Sequence, residues 1–145
     1  MKYKKRLFYI ENVSAERIAK KFGTPSYVYS YDGIKSNINN FKRNFKTIDP
    51  LICFSVKSNS HLKILNLVSK FGLGADVVSK GELSRALNAK IKPEKIVFSG
   101  VGKTVDELKF AIKSGGDPIF IYSYGQAQTI QDWKEKLTLP IYRKF

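Results

Sequence analysis

The chain has 145 residues, 43% of them hydrophobic and 13% aromatic, which suffices to bury a core and excludes a disordered segment. Its net charge is +14, but the lysines are scattered through every segment and cluster densely only at Lys2, Lys4, Lys5 and Arg6, so the charge reads as solvated faces rather than a nucleic-acid footprint. No apolar run approaches the ~18–20 residues that cross a bilayer, and the lone Cys53 and His61 exclude an internal disulfide and a zinc site of ordinary spacing.

In chain order, the first apolar stretch, Leu7–Ile10, is ended by Glu11 and falls short of the roughly 7–15 residues of a secretory signal. The expectation is a cytoplasmic protein with no membrane span, no metal and no nucleic-acid partner. Ser14 can cap a helix on which Ala15, Ile18, Ala19 and Phe22 share a face, with Gly23 as its stop and Pro25 beyond. Tyr27, Val28 and Tyr29 favour a strand over Ser26–Tyr31. Asp32 is positioned to cap a second helix carrying Ile34, Ile38, Phe41 and Phe45.

From Leu51 a rhythm sets in. Leu51–Val56 is a nearly continuous apolar run, as in a strand buried on both faces. A helix over Leu62–Phe71 follows, with Ile64, Leu65, Val68 and Phe71 on one face. Ala75–Val78 is a second strand, and Ser79 with Glu82 forms a capping box opening a helix with Leu83, Ala86 and Leu87. Ile96–Phe98 is a third strand, and Thr104 with Glu107 opens a helix with Leu108, Ala111 and Ile112, ending at Gly115. Ile119–Tyr122 would make a fourth. Strand, short loop and capped helix in repetition give an α/β fold with a parallel sheet. From this pattern alone a doubly wound sheet and a (β/α)₈ barrel remain open, and a whole barrel needs about 250 residues.

Either architecture puts chemistry at the C-terminal ends of the strands. Lys57, Ser58 and Asn59 follow the first strand, Ser79 the second, and Ser99, Gly100, Val101, Gly102 and Lys103 the third. Asp76 lies inside the second, where a carboxylate is costly without a partner. A strand-end lysine can condense with an aldehyde once its amine is neutral, or simply reach into water.

The residues around it carry a resemblance. Phe54-Ser55-Val56-Lys57-Ser58-Asn59 resembles the cofactor-lysine motif of fold-type III pyridoxal-phosphate enzymes, with Ser58 where Ala is usual. Gly72 to Leu83, reading Gly-Leu-Gly-Ala-Asp-Val-Val-Ser-Lys-Gly-Glu-Leu, is similar to the next block of the diaminopimelate decarboxylase family. Phe22-Gly23-Thr24-Pro25 with Tyr27-Val28-Tyr29 resembles that family's opening, and Ile96 to Gly100 with Lys103 resembles its third-strand block. Four motifs in order over roughly residues 7–115 make the match specific. Alanine racemase shares only the lysine motif.

The resemblance implies the first three to four βα units of a (β/α)₈ barrel over residues 1–115, with pyridoxal 5'-phosphate held by Lys57 and Asp76 beside it as electrostatic partner. It implies decarboxylation of a small amino acid, meso-diaminopimelate, to L-lysine, by a homodimer whose phosphate loop, substrate arginines and catalytic cysteine come later in the chain. Cys53 is not that cysteine and is expected in the core; His61 is expected in a helix-cap region. Residues 116–145 match no further family motif and are expected to be a divergent tail, such as a frameshift or premature stop produces, leaving the chain inactive alone. The alternatives are another fold-type III decarboxylase, a non-catalytic pyridoxal-phosphate-binding protein, or a small basic nucleic-acid-binding protein.

Overall fold

The structure, a computed structural model, describes residues 2–4, 6–45, 47–115, 128 and 131–132. It comprises two compact units, Met1–Pro50 and Leu51–Phe145. The fourth strand expected at Ile119–Tyr122 lies outside the described residues, as does nearly all of the tail from residue 116.

The first unit opens with an antiparallel meander, β1 (Lys2–Lys4), β2 (Leu7–Ile10) and β3 (Val13–Ser14), in that spatial order. Its turns place Arg6 and Glu11 at φ 66° and 55°, a conformation usually left to glycine. Tyr3 pairs with Phe8, and their rings meet at 5.1 Å. Helix α1 (Ala15–Phe22) starts as expected, the Ser14 hydroxyl accepting from the Arg17 amide at 3.2 Å, and stops at Gly23 with φ 80°.

Ser26–Tyr31 forms no strand among the described residues: the segment joins neither sheet, and helix α2 (Tyr31–Asn44) begins at its last residue. The cap is Ser30 rather than Asp32. Its hydroxyl accepts from the Gly33 amide and donates to the Glu11 carboxylate, which also takes the Asp32 amide. These bonds hold the Glu11 carboxyl below the usual range. The helix dipole adds to the same preference for an anion at this end. Local β-propensity yields to a cap assembled across 19 residues of sequence.

The second unit is a parallel sheet in sequence order, β4 (Cys53–Ser55), β5 (Gly74–Val77) and β6 (Ile96–Phe98), connected by α3 (Leu62–Lys70) and α4 (Lys80–Asn88), with α5 (Val105–Lys113) following. Parallel βαβ crossovers are right-handed, so strands laid down in sequence order carry their helices on one face. Burial follows this rule. Val56, Ala75, Val77, Ile96 and Phe98 are buried with Leu65, Val68, Leu83, Ala86, Leu108, Ala111 and Ile112 of the helices. Of the opposite parity, Cys53, Ser55, Asp76 and Val97 are half-buried while Gly74 is buried, and on the helix-facing side Phe54 is also only half-buried. A doubly wound sheet covers both faces with helices; a sheet wound on one side is a segment of barrel wall. Among the described residues the first strand is half-buried throughout rather than buried on both faces as its apolar run suggests, and Cys53 is half-buried on the side away from the helices. Gly74 is required where it is: a Cβ there would lie 2.1 Å from the Lys95 carbonyl oxygen and 2.8 Å from Cys53 Sγ.

Candidate active site

The strands end together in register, Ser55 opposite Asp76 and Asp76 opposite Val97. Beyond Ser55 the backbone turns into one 3₁₀ turn, Val56–Ser58. Val56 is fully buried and anchors the turn, while Lys57 next to it is exposed. Ser58, at the position where the motif has Ala, donates its hydroxyl to the Ser55 carbonyl at 2.6 Å. Asn59 accepts from the His61 amide at 3.0 Å, and His61 Nδ1 caps α3 by accepting from the Lys63 amide at 3.2 Å. His61 is thus the cap-region residue expected. Lys57 makes no ion pair or side-chain hydrogen bond among the described residues.

Asp76 is half-buried on the open face, and Ser99, just past β6, donates to it at 2.5 Å. Ser55 Oγ is buried with no partner among the described residues. Burial pushes the Cys53 thiol up, and the charge of Asp76 adds to the effect. Asp76 and Lys57 are brought to the same end of adjacent strands but are joined by no ion pair among the described residues.

Lys103, the rival strand-end lysine, is in a different state. It is 8% exposed, its Nζ donates to the Gly100 carbonyl, and it lies 5.4 Å from the Phe98 ring centroid. Phe98 belongs to the helix-facing core, so the amine is folded away from the open face. Burial lowers its pKa from the ordinary lysine value, with Glu107 opposing. A buried amine already bonded to a carbonyl is poorly placed to meet an incoming aldehyde.

The loops are braced from behind. The Ser79 hydroxyl accepts from the Glu82 amide at 3.3 Å, but Glu82 returns to the Val78 amide rather than to Ser79, so that box is shifted by one residue. The Thr104–Glu107 box is complete, and the same Glu107 carboxylate also accepts the Lys80 amide at 3.1 Å. One carboxylate therefore ties the loop after β5 to the loop after β6. The sequence shows the box but not the bridge, because Lys80 is 27 residues away. The sequence motifs give no role to Ser55 or Ser99, although the spacing of two from Cys53 and Val97 puts them on the face of Asp76.

Residues 31–139 match the family described as "Pyridoxal-dependent decarboxylase, pyridoxal binding domain". The chain belongs to this family. It is 43% identical over 113 residues to diaminopimelate decarboxylase of Pseudomonas aeruginosa, covering 78% of this chain and 27% of that protein. It is likewise 43% identical over 122 residues to that of Helicobacter pylori, covering 84% and 30%. The crystal structure of diaminopimelate decarboxylase from M. jannaschii in co-complex with L-lysine superposes with a TM-score of 0.89 at 34% identity, over 94% of this chain and 33% of that one. The barrel-wall geometry of the second unit is thus that of the fold-type III decarboxylases, and the family's cofactor is pyridoxal phosphate. The chain spans about 27–30% of the length of the curated relatives it matches.

The described residues fit the aldehyde end of such a cofactor. One strand-end amine is exposed and makes no side-chain hydrogen bond or ion pair among the described residues, and one carboxylate at the same strand ends is held by a neutral donor.

Proposed function

We propose that this chain forms the first part of the cofactor-binding barrel of a diaminopimelate decarboxylase, with Lys57 holding pyridoxal phosphate and Asp76 as its electrostatic partner. The observation that carries this reading is that a one-sided parallel sheet delivers an exposed lysine and a hydrogen-bonded carboxylate to the same strand ends. The relatives named diaminopimelate decarboxylase support the substrate.

When bound, the cofactor supplies a ring that withdraws electrons from the substrate's α-carbon as CO₂ leaves. Lys57 holds it through Nζ, and the buried Val56 keeps the lysine's backbone at the strand end. Asp76 keeps a negative charge at that end, since a hydroxyl donor orients a carboxylate without cancelling its charge. Phosphate and substrate groups come from the rest of a complete protein, which works as a cytoplasmic homodimer. The 145-residue chain by itself does not decarboxylate diaminopimelate.

Borohydride reduction in the presence of pyridoxal phosphate, followed by peptide mapping, tests the lysine. Label appears on the segment containing Lys57 and is absent from Lys57→Ala. Label on Lys103, or spread over surface lysines, refutes the assignment. Lysine formation by the purified chain above the Lys57→Ala background refutes the claim of inactivity.

A further inference from the structure

Asp76 is an anion whose orientation is set by one neighbour. Its register partner on β4 is Ser55, whose hydroxyl is buried and bonded to nothing among the described residues. Its register partner on β6 is Val97, which offers no donor. Ser99, two residues beyond Val97 and just past β6, donates to Asp76 Oδ1. The backbone that presents Ser99 is held on both sides. Its amide continues the ladder to the Val77 carbonyl at 2.9 Å, and Gly100 is pressed so closely on Val78 that a Cβ would lie 2.4 Å from the Val78 oxygen. Asp76 enters no ion pair among the described residues, so its charge remains available to a ligand.

We propose that Ser99 is a positioning residue: its hydroxyl holds the Asp76 carboxylate in one orientation on the open face, presenting the negative charge to the strand ends where Lys57 stands. This rests on the reading of Lys57 as the cofactor lysine. A neutral donor suits the task, because a cation would fix the carboxylate and also neutralise it. Ser99 touches neither cofactor nor substrate in this account and acts only through Asp76.

The chain carries its own reporter. Cys53 is its only cysteine, stands on the same face, and is held in its thiol form partly by the Asp76 charge. Iodoacetamide alkylation at about pH 8, where an ordinary thiol is mostly protonated, therefore reads the position of the Asp76 charge without any cofactor. Ser99→Ala and Ser99→Val remove the hydroxyl at smaller and larger volume, so the test does not hang on one variant folding; Ser99→Thr keeps it. Asp76→Asn is expected to speed alkylation on the order of threefold by removing a partly screened like charge. Ser99→Ala and Ser99→Val each shift the rate away from wild type, Ser99→Thr stays at wild type, and Ser99→Ala shifts nothing in the Asp76→Asn background. A shift by Ser99→Ala that persists in that background, or no shift in the first place, overturns the proposal.

In the cofactor arm, the yield of borohydride label at Lys57 falls in Asp76→Asn and Ser99→Ala and returns in Ser99→Thr. An unchanged yield in both overturns the link from Asp76 to Lys57. Label at Lys57 with a failed alkylation cycle overturns the role of Ser99 alone, whereas label elsewhere overturns the cofactor reading itself.

Discussion

Gly100→Ala tests how closely β6 must approach β5 for the site to form. The backbone at Gly100 is not left-handed, so alanine brings no conformational strain; the cost is contact. The added Cβ would lie 2.4 Å from the Val78 oxygen, 3.1 Å from its carbonyl carbon and 3.2 Å from its Cα, all backbone atoms that cannot rotate away. Reaching the 3.4 Å of an ordinary contact requires the strand ends to part by about 1 Å. The adjacent ladder bond, Ser99 amide to Val77 carbonyl at 2.9 Å, would then open to nearly 4 Å and be lost. A lost hydrogen bond of about 1 kcal/mol together with overpacking strain of about 1–3 kcal/mol gives about 2–4 kcal/mol of destabilisation. Gly102→Ala is the matched control, because a Cβ there meets nothing within 4 Å, and its effect should stay within about 0.5 kcal/mol. Urea unfolding followed by far-ultraviolet circular dichroism measures both. If Gly100→Ala unfolds at the wild-type midpoint, or if the two alanines cost the same, close approach at Gly100 is not what holds these strand ends together.

Glu107→Ala should remove hydrogen-exchange protection from the Lys80 and Thr104 amides together, although one opens α4 and the other precedes α5. The hydrogen bonds from Thr104 and Lys80 lower the Glu107 pKa, so its contribution is complete above the ordinary glutamate pKa of about 4.3 and is lost as pH falls through the lower folded value. The difference in urea midpoint between wild type and Glu107→Gln should accordingly shrink between about pH 6 and about pH 3. Leu65→Ala, at a fully buried position on α3, should cost about 2–5 kcal/mol, whereas Leu62→Ala on the same helix, 40% exposed, should cost much less; equal losses in a denaturation series would contradict the assigned helix face.

The second unit was largely legible because its signals are local. The strand β6 appears where the sequence places it, and capping residues Ser79 and Thr104 open α4 and α5 as read. Lys57 and Asp76 were singled out by the motifs around them, since a strand-end lysine by position alone equally reaches into water. What escaped depends on partners distant in sequence. Tyr27, Val28 and Tyr29 have strand-forming side chains but no ladder to join, and nothing around them announces that Ser30 will bond Glu11. The meander at the start turns through Arg6 and Glu11, which carry no glycine to mark the turns. The choice between a doubly wound sheet and a barrel wall depends on which face the crossovers cover, and the apolar run at Leu51–Val56 masks the half-open side. The state of Lys103 likewise follows from its backward fold onto Gly100 and Phe98, which its spacing from β6 does not encode.

The alternation that closes β5 and runs through β6 has an evolutionary consequence. Val56, Ala75, Val77, Ile96 and Phe98 hold the sheet to its helices, while Ser55, Asp76 and Ser99, interleaved with them, face the other way and contribute little to that adhesion. The face that bears Asp76 can therefore change by point substitution without eroding the scaffold held by the other set. A single-residue insertion within a strand is another matter: it would exchange the two sets, turning a carboxylate into the apolar layer and an isoleucine or phenylalanine out of it. Lineages carrying this wall should accordingly accept length changes in the loops after the strands and almost none within the strands themselves.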